Sequence, residues 1–164
     1  MDIQVEIEPV EFDDMANTRP AESSASIRSR VIKAREIQRE RFKNLPGVHC
    51  NAQMTGKMLR TFAWPDEAGL KKLKAQMTKL NRSARAFDRI LRVARTIADL
   101  ESAQSLPSRL AEEAPTSASS SASLPAEYKA ALSAATTTPV LAHHIAEAIA
   151  YRALDRPSPF LPSF

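Results

Sequence analysis

One cysteine, three glycines and an aromatic content of 5% are all that this 164-residue chain has of three structurally demanding residue types. A lone Cys50 excludes an internal disulfide framework and a cysteine-built zinc cluster. With glycine confined to Gly47, Gly56 and Gly69, helices are expected over a turn-rich β-fold. No apolar run approaches the roughly 18 residues that a membrane-spanning helix needs, and the acidic N-terminus has no secretory signal pattern. A cytoplasmic protein with no membrane partner is the expectation. Gly-x-x-x-x-Gly-Lys-Ser/Thr is absent, so no loop of that kind cradles phosphates. No apolar strand ends in Asp-Glu to hold Mg²⁺ and orient water. These residues therefore include no catalytic set of their own.

What is present is charge, unevenly placed. The formal net charge is +4. Residues 1–23 hold seven acids and one base, residues 24–45 seven bases and two acids, and residues 71–100 nine bases and two acids. Basic clustering of this kind suits a polyanion, either nucleotide or nucleic acid. The competing reading is that helix surfaces carry Lys and Arg for solubility. No aromatic residues alternate with the basic ones as a stacking platform would require.

The apolar pattern gives the organisation. Ile3, Val5 and Ile7 alternate with polar residues and predict a half-buried strand ended by Pro9. A lone strand is not stable, so residues 1–23 read as a strand and loop belonging to a larger architecture. Residues 24–62 hold a long basic helix, Ser24 to Lys43, and a connecting segment with a short helix from Thr55 to Phe62. Ile27, Val31, Ala34 and Phe42 form a narrow stripe on the long helix, interrupted by Gln38. Arg28, Arg30, Lys33, Arg35, Arg39 and Arg41 surround it, so the helix is expected to project and dock on one neighbour. Residues 63–155 hold a helical bundle: Asp66 as an N-cap, a stripe of Leu70, Leu73, Met77 and Leu80, an arginine-rich helix, and a last helix through Leu141, Ile145, Ala148 and Ile149. Residues 102–139 are biased to Ser, Ala, Thr and Pro and are expected to be a low-complexity insertion without fixed structure, removable, with at most a transient helix around Tyr128 and Leu132. Residues 156–164 form a Pro-rich tail.

The segment Ser83-Ala-Arg-Ala-Phe-Asp-Arg-Ile-Leu-Arg-Val-Ala-Arg-Thr-Ile-Ala-Asp-Leu100 is the most informative. At about 100° per residue, Phe87, Ile90, Leu91, Ala94, Ile97 and Ala98 share one face, with Arg85, Arg89 and Arg92 opposite. Ser83 stands where an N-cap belongs, its hydroxyl expected to accept from a first-turn N–H. Arg85 then lies at the positive end of the helix dipole, a place costing a cation about 0.3–1 kcal/mol unless an anion is shared with it. A helix N-terminus with a guanidinium can clamp phosphate. The alternative is a solvated arginine face.

This segment resembles the C-terminal domain of the magnesium-chelatase-like AAA+ ATPases, the YifB/ComM family. So do Ser24 to Phe42, Cys50-Asn-Ala-Gln-Met54, and His144 to Asp155, in the family's order. The resemblance implies a mainly α fold: an AAA+ helical lid bundle preceded by a long projecting helix and a short N-terminal strand. It places the sensor-2 arginine, which contacts the γ-phosphate, at Arg85. Arg89 and Arg92 become candidates for nucleotide, DNA or subunit contact. For the intact protein it implies ATP and Mg²⁺ as cofactors, an AAA+ nucleotide-binding core as partner, assembly into a ring homo-oligomer, and DNA among its substrates. A stand-alone basic helical adaptor that binds DNA or a partner ATPase is the rival reading. No metal site is expected, because adjacent His143 and His144 point about 100° apart on a helix and, although Glu147 is one turn from His144, a third ligand is missing. Cys50 beside His49 has no oxyanion partner and is expected to be structural.

Overall fold

Six α-helices and one 3-10 turn account for the regular structure among the described residues of the computed structural model, which are 3–5, 9, 21–79, 83–107 and 125–152. Helix α1, Ser24–Phe42, starts where the Ser23 hydroxyl accepts from the Ser26 N–H at 3.2 Å. Past its end Gly47 takes a φ of +80°, a conformation that glycine adopts without a Cβ penalty. A 3-10 turn, Asn51–Gln53, leads to helix α2, Gly56–Phe62, capped by Thr55. Helix α3, Glu67–Lys79, is capped as expected by Asp66, whose carboxylate accepts from the Gly69 N–H at 2.7 Å. Gly69 also sits where α3 approaches the last helix. A Cβ there would lie 3.3 Å from Ile145 and 3.0 Å from Pro65. Helices α4, Ala84–Gln104, α5, Ala126–Thr136, and α6, Ala142–Ala150, complete the set.

Helix α4 is the centre, in contact with α1, α2, α5, α6 and the 3-10 turn. Its predicted stripe is the buried one: Ile90, Leu91, Ala94 and Ala98 have no exposed surface. They pack with Phe42, Met54, Leu59, Leu73, Val140 and Ile145 in one core cluster. At about 1.5–3 kcal/mol for each large apolar side chain fully buried, this cluster is the principal favourable term. A second cluster sits at the far end of α4, where Ala34 and Ile37 of α1 meet Ala103, Leu106, Tyr128, Leu132 and Ala135. Helices α1 and α4 run antiparallel, as the pairs Arg41–Asp99 and Lys33–Leu106 show. A parallel bridge between Pro65 and Val140 joins the start of α3 to the start of α6.

Four expectations need correction. No strand occurs among the described residues. Ile3 and Val5 are exposed at 51% and 66%, and the Gln4 N–H donates to the Tyr151 carbonyl at 2.8 Å. Without a partner strand the alternating pattern has no ladder to join; Ile7 lies outside the described residues. The α1 stripe docks only through Ala34 and Phe42, while Ile27 and Val31 stay exposed at 42% and 45% on the projecting half. Ile37, Gln38 and Arg41 complete the buried face. The segment 102–139 is in large part built into the fold. Helix α4 continues through Gln104, Leu106 is buried, and α5 packs Tyr128, Leu132 and Ala135 against α1. Residues 108–124 of that segment, Leu80 of the α3 stripe and the 156–164 tail lie outside the described residues. At the start of α4 the expected cap from the Ser83 hydroxyl is not made.

Candidate functional site

The position of α4 is set by a buried charge network. Asp99 has no exposed surface and Arg95 only 1%. The Asp99 carboxylate accepts from Arg41 Nη1 at 2.8 Å and Nη2 at 2.5 Å, from Arg95 Nε at 3.0 Å, and from Asn51 Nδ2 at 2.7 Å. Two guanidinium groups thus share one carboxylate. The surplus positive charge is met by carbonyls: Arg41 Nε donates to Thr136 at the end of α5, and Arg95 Nη1 donates to Thr138 at 2.5 Å. Carbonyls at a helix C-terminus lack intrahelical partners and carry partial negative charge, which suits them to this use. Burial pushes the Arg95 guanidinium below its ordinary value, with Asp99 opposing. The network joins α1, the 3-10 turn, α4 and the α5–α6 connection in one place. Sequence reasoning put Arg41 on the solvent side of α1 and left Arg95 and Asp99 without a role. The only local signal was their i,i+4 spacing.

At the other end of α4, Ser83 occupies the N-cap position, and its hydroxyl makes no cap hydrogen bond. Its carbonyl accepts from the Ala86 and Phe87 N–H groups at 2.9 and 3.2 Å. The cap is therefore made by backbone alone, which corrects the expectation for the hydroxyl. Arg85 follows in the first turn, exposed. The three arginines of the expected polar face part company. Arg89 and Arg92 are half-buried. Arg92 donates from Nε and Nη2 to the Met54 carbonyl at 3.3 and 2.8 Å, and its Nη2 stands 4.0 Å from Asp88. Arg92 thus straps the 3-10 turn to α4. Arg85 alone of the three is exposed.

Beside the start of α4 lies an open groove of about 840 Å³ between α2, α3 and α4. Its walls are apolar, with Trp64, Met77, Phe87 and Leu91 prominent, and Lys57, Arg60 and Lys74 contribute positive charge. Trp64 and Phe87 have ring centroids 6.2 Å apart.

A separate cluster lies at the far side of α4. His143 and His144, on the first turn of α6, both meet the carboxylate of Glu101 on α4. Their shared acidic partner is not the neighbouring Glu147 but Glu101, 42 residues before His143 in the chain. Hydrogen bonds from His143 and then His144 hold the Glu101 carboxyl below its usual range. Cys50 is a free, half-buried thiol, and its neighbour Asn51 is part of the Asp99 network. No helix among the described residues is long and apolar enough to cross a membrane.

A helical bundle centred on one long helix, with a projecting helix docked antiparallel to it, is the build of an AAA+ C-terminal lid domain. The sequence model of the magnesium chelatase subunit ChlI C-terminal region matches residues 21–116, and the chain belongs to that family. Among curated relatives, the competence protein ComM of Haemophilus influenzae is 34% identical over 106 residues, covering 64% of this chain and 20% of the relative. The protein YifB of Salmonella typhimurium is 37% identical over 93 residues, 57% of this chain and 17% of its own length. YifB of Escherichia coli is 35% identical over 95 residues, 58% of this chain and 18% of the relative. The matched part of the chain thus spans about a fifth of the length of these relatives.

Proposed function

We propose that this domain is the nucleotide-responsive lid, and a subunit-contact element, of a ComM- or YifB-like AAA+ ATPase. In this reading it couples ATP binding and hydrolysis on a separate nucleotide-binding core to remodelling of a ring, with DNA as a substrate its basic helices would favour. The observation that carries the reading is Arg85, an exposed guanidinium in the first turn of α4 beside a Ser83 whose hydroxyl does not cap the helix. A cation at the positive end of a helix is mildly unfavourable by itself. An anion shared between the first-turn N–H groups and the guanidinium reverses that sign. The planar fork of an arginine suits the oxygens of a terminal phosphate. These residues fit one phosphate contact; ATP and Mg²⁺ would be held by the core, which supplies the phosphate cradle and the metal ligands. Arg85 would report phosphate state, and the Asp99 network would transmit it by moving α4 and its neighbours as one body.

The test is Arg85→Ala in the intact protein, with Arg89→Ala as a variant that removes the same charge one turn further on. Arg85→Ala should lower ATP turnover by about tenfold or more, a loss of about 1.4 kcal/mol of transition-state stabilisation. Arg89→Ala should lower it far less. Equal, small effects from both would return Arg85 to a solvated face.

A further inference from the structure

We propose that Glu101, His143 and His144 form a binding site for a divalent transition-metal ion of the Zn²⁺ class, independent of any nucleotide chemistry. Among the described residues this is the one group of acidic, imidazole or thiol side chains whose ligand atoms converge, all within 4.8 Å of one another. His143 Nε2 and His144 Nε2 lie 2.9 and 2.5 Å from the same oxygen, Oε2 of Glu101. Tetrahedral Zn²⁺, with bonds of about 2.0–2.1 Å, holds its ligands roughly 3.3 Å apart. Each imidazole nitrogen therefore needs to draw away from the carboxylate oxygen by less than about 1 Å. They are built to do so. The His144 side chain is only 2% exposed and forms a fixed anchor, whereas those of His143 and Glu101 are 56% and 57% exposed and have room to move. The two helices that carry them, α4 and α6, pack directly on each other. Two imidazoles and one carboxylate, with the remaining position open to solvent, suit Zn²⁺, Ni²⁺ or Cu²⁺. Mg²⁺ and Ca²⁺ demand oxygen ligands and are excluded by the same chemistry.

One contact opposes the metal and makes the proposal specific. His144 Nδ1 accepts from the Leu141 backbone N–H at 2.9 Å. The neutral ring therefore carries its proton on Nε2, where it donates to Glu101. A metal on Nε2 requires the other tautomer, with the proton on Nδ1. The ring proton moves from Nε2 to Nδ1, no net charge changes on the ring, and the Leu141 N–H loses its acceptor. Metal binding replaces three hydrogen bonds, the one from the Leu141 N–H and the two between the imidazoles and Glu101, with three coordinate bonds. It then opens the cap at the start of α6. That cap adjoins Val140, which pairs with Pro65, and follows Thr138, whose carbonyl holds Arg95.

Zn²⁺ and Co²⁺, with Mg²⁺ for comparison, are titrated into the full chain free of any histidine tag. A single equivalent of Zn²⁺ should bind at micromolar concentration, Co²⁺ should give visible d–d bands, and Mg²⁺ should do neither. Glu101→Gln and His143→Ala, both at exposed positions, should each weaken binding by about tenfold or more. His49→Ala, beside Cys50, should leave it unchanged. Long-range proton–nitrogen NMR of the His144 ring should show the proton on Nε2 without metal and on Nδ1 with Zn²⁺. The proposal is overturned by the absence of saturable binding, by binding that survives both ligand variants, by dependence on His49, or by a ring proton that stays on Nε2 with Zn²⁺ bound.

Discussion

Asp99→Ala should cost the fold about 3–5 kcal/mol, because it leaves two buried guanidinium groups facing each other without their shared carboxylate. Few single substitutions in this chain should do more. Asp99 accepts from Arg41, Arg95 and Asn51, and none of these donors can turn to water. A loss of that size is a large share of the roughly 5–15 kcal/mol by which small domains are stable. Asp99→Asn keeps the shape, removes the charge, and should also destabilise strongly. The pair Arg95→Met with Asp99→Leu should be less damaging than the two single changes added together, since it removes charges on both sides. Denaturant midpoints at unchanged slope give the numbers. A loss below about 1 kcal/mol for Asp99→Ala would mean that the carbonyls of Thr136 and Thr138 suffice to hold the arginines.

The second large effect should come from a segment whose composition suggests none. Leu132→Ala in α5 should cost about 2–5 kcal/mol, the range for removing a buried leucine side chain from a packed site. Leu132 is 6% exposed and packs with Ile37 and Leu106 in the second core cluster. Tyr128→Phe should cost about 1 kcal/mol, by removing the hydrogen bond its hydroxyl donates to the buried Glu36 carboxylate. Lys129→Ala, exposed between them, should stay within about 0.5 kcal/mol of the parent. Thermal or denaturant unfolding of the three variants decides the matter. If Leu132→Ala were as silent as Lys129→Ala, the helix would be an ornament on α1, and the expectation of a removable segment would stand.

These two effects also mark where the sequence was legible. The helix with the strongest apolar periodicity, α4, was readable because its stripe recurs at helical spacing over about three turns, from Phe87 to Ala98. So was the cap at Asp66, which depends on a residue three positions away. The burial of Arg41, Arg95 and Asp99 was not readable, because the partner that makes Arg41 burial tolerable is 58 residues away. A charged residue on a helix is exposed by default, and only tertiary pairing overturns that. Helix α5 failed for a related reason. Its alanines and serines give a weak pattern, and its Tyr128 and Leu132 gain their burial from the face of α1 and the end of α4. The strand expected at Ile3 to Ile7 shows the converse, a good local pattern with no strand among the described residues to pair with it. Glu101 as the partner of His143 and His144 carried no local signal at all, since it is brought in by the packing of α4 on α6. At the candidate phosphate contact, Arg85 was legible from its place in the first turn. The separation of Arg92 from it was not, because the Met54 carbonyl that holds Arg92 comes from another segment.

The most direct test of the lid reading is a distance. Spin labels or fluorophores are placed on the nucleotide-binding core and on the exposed face of α4 in the intact protein, and the separation is measured with an ATP analogue and with ADP. The parent protein should show two distinct separations. Arg85→Ala should show one, close to the ADP value with either nucleotide, while Arg89→Ala should keep both. Two separations that persist unchanged in Arg85→Ala would contradict the account, because the guanidinium would then have no part in reporting the phosphate.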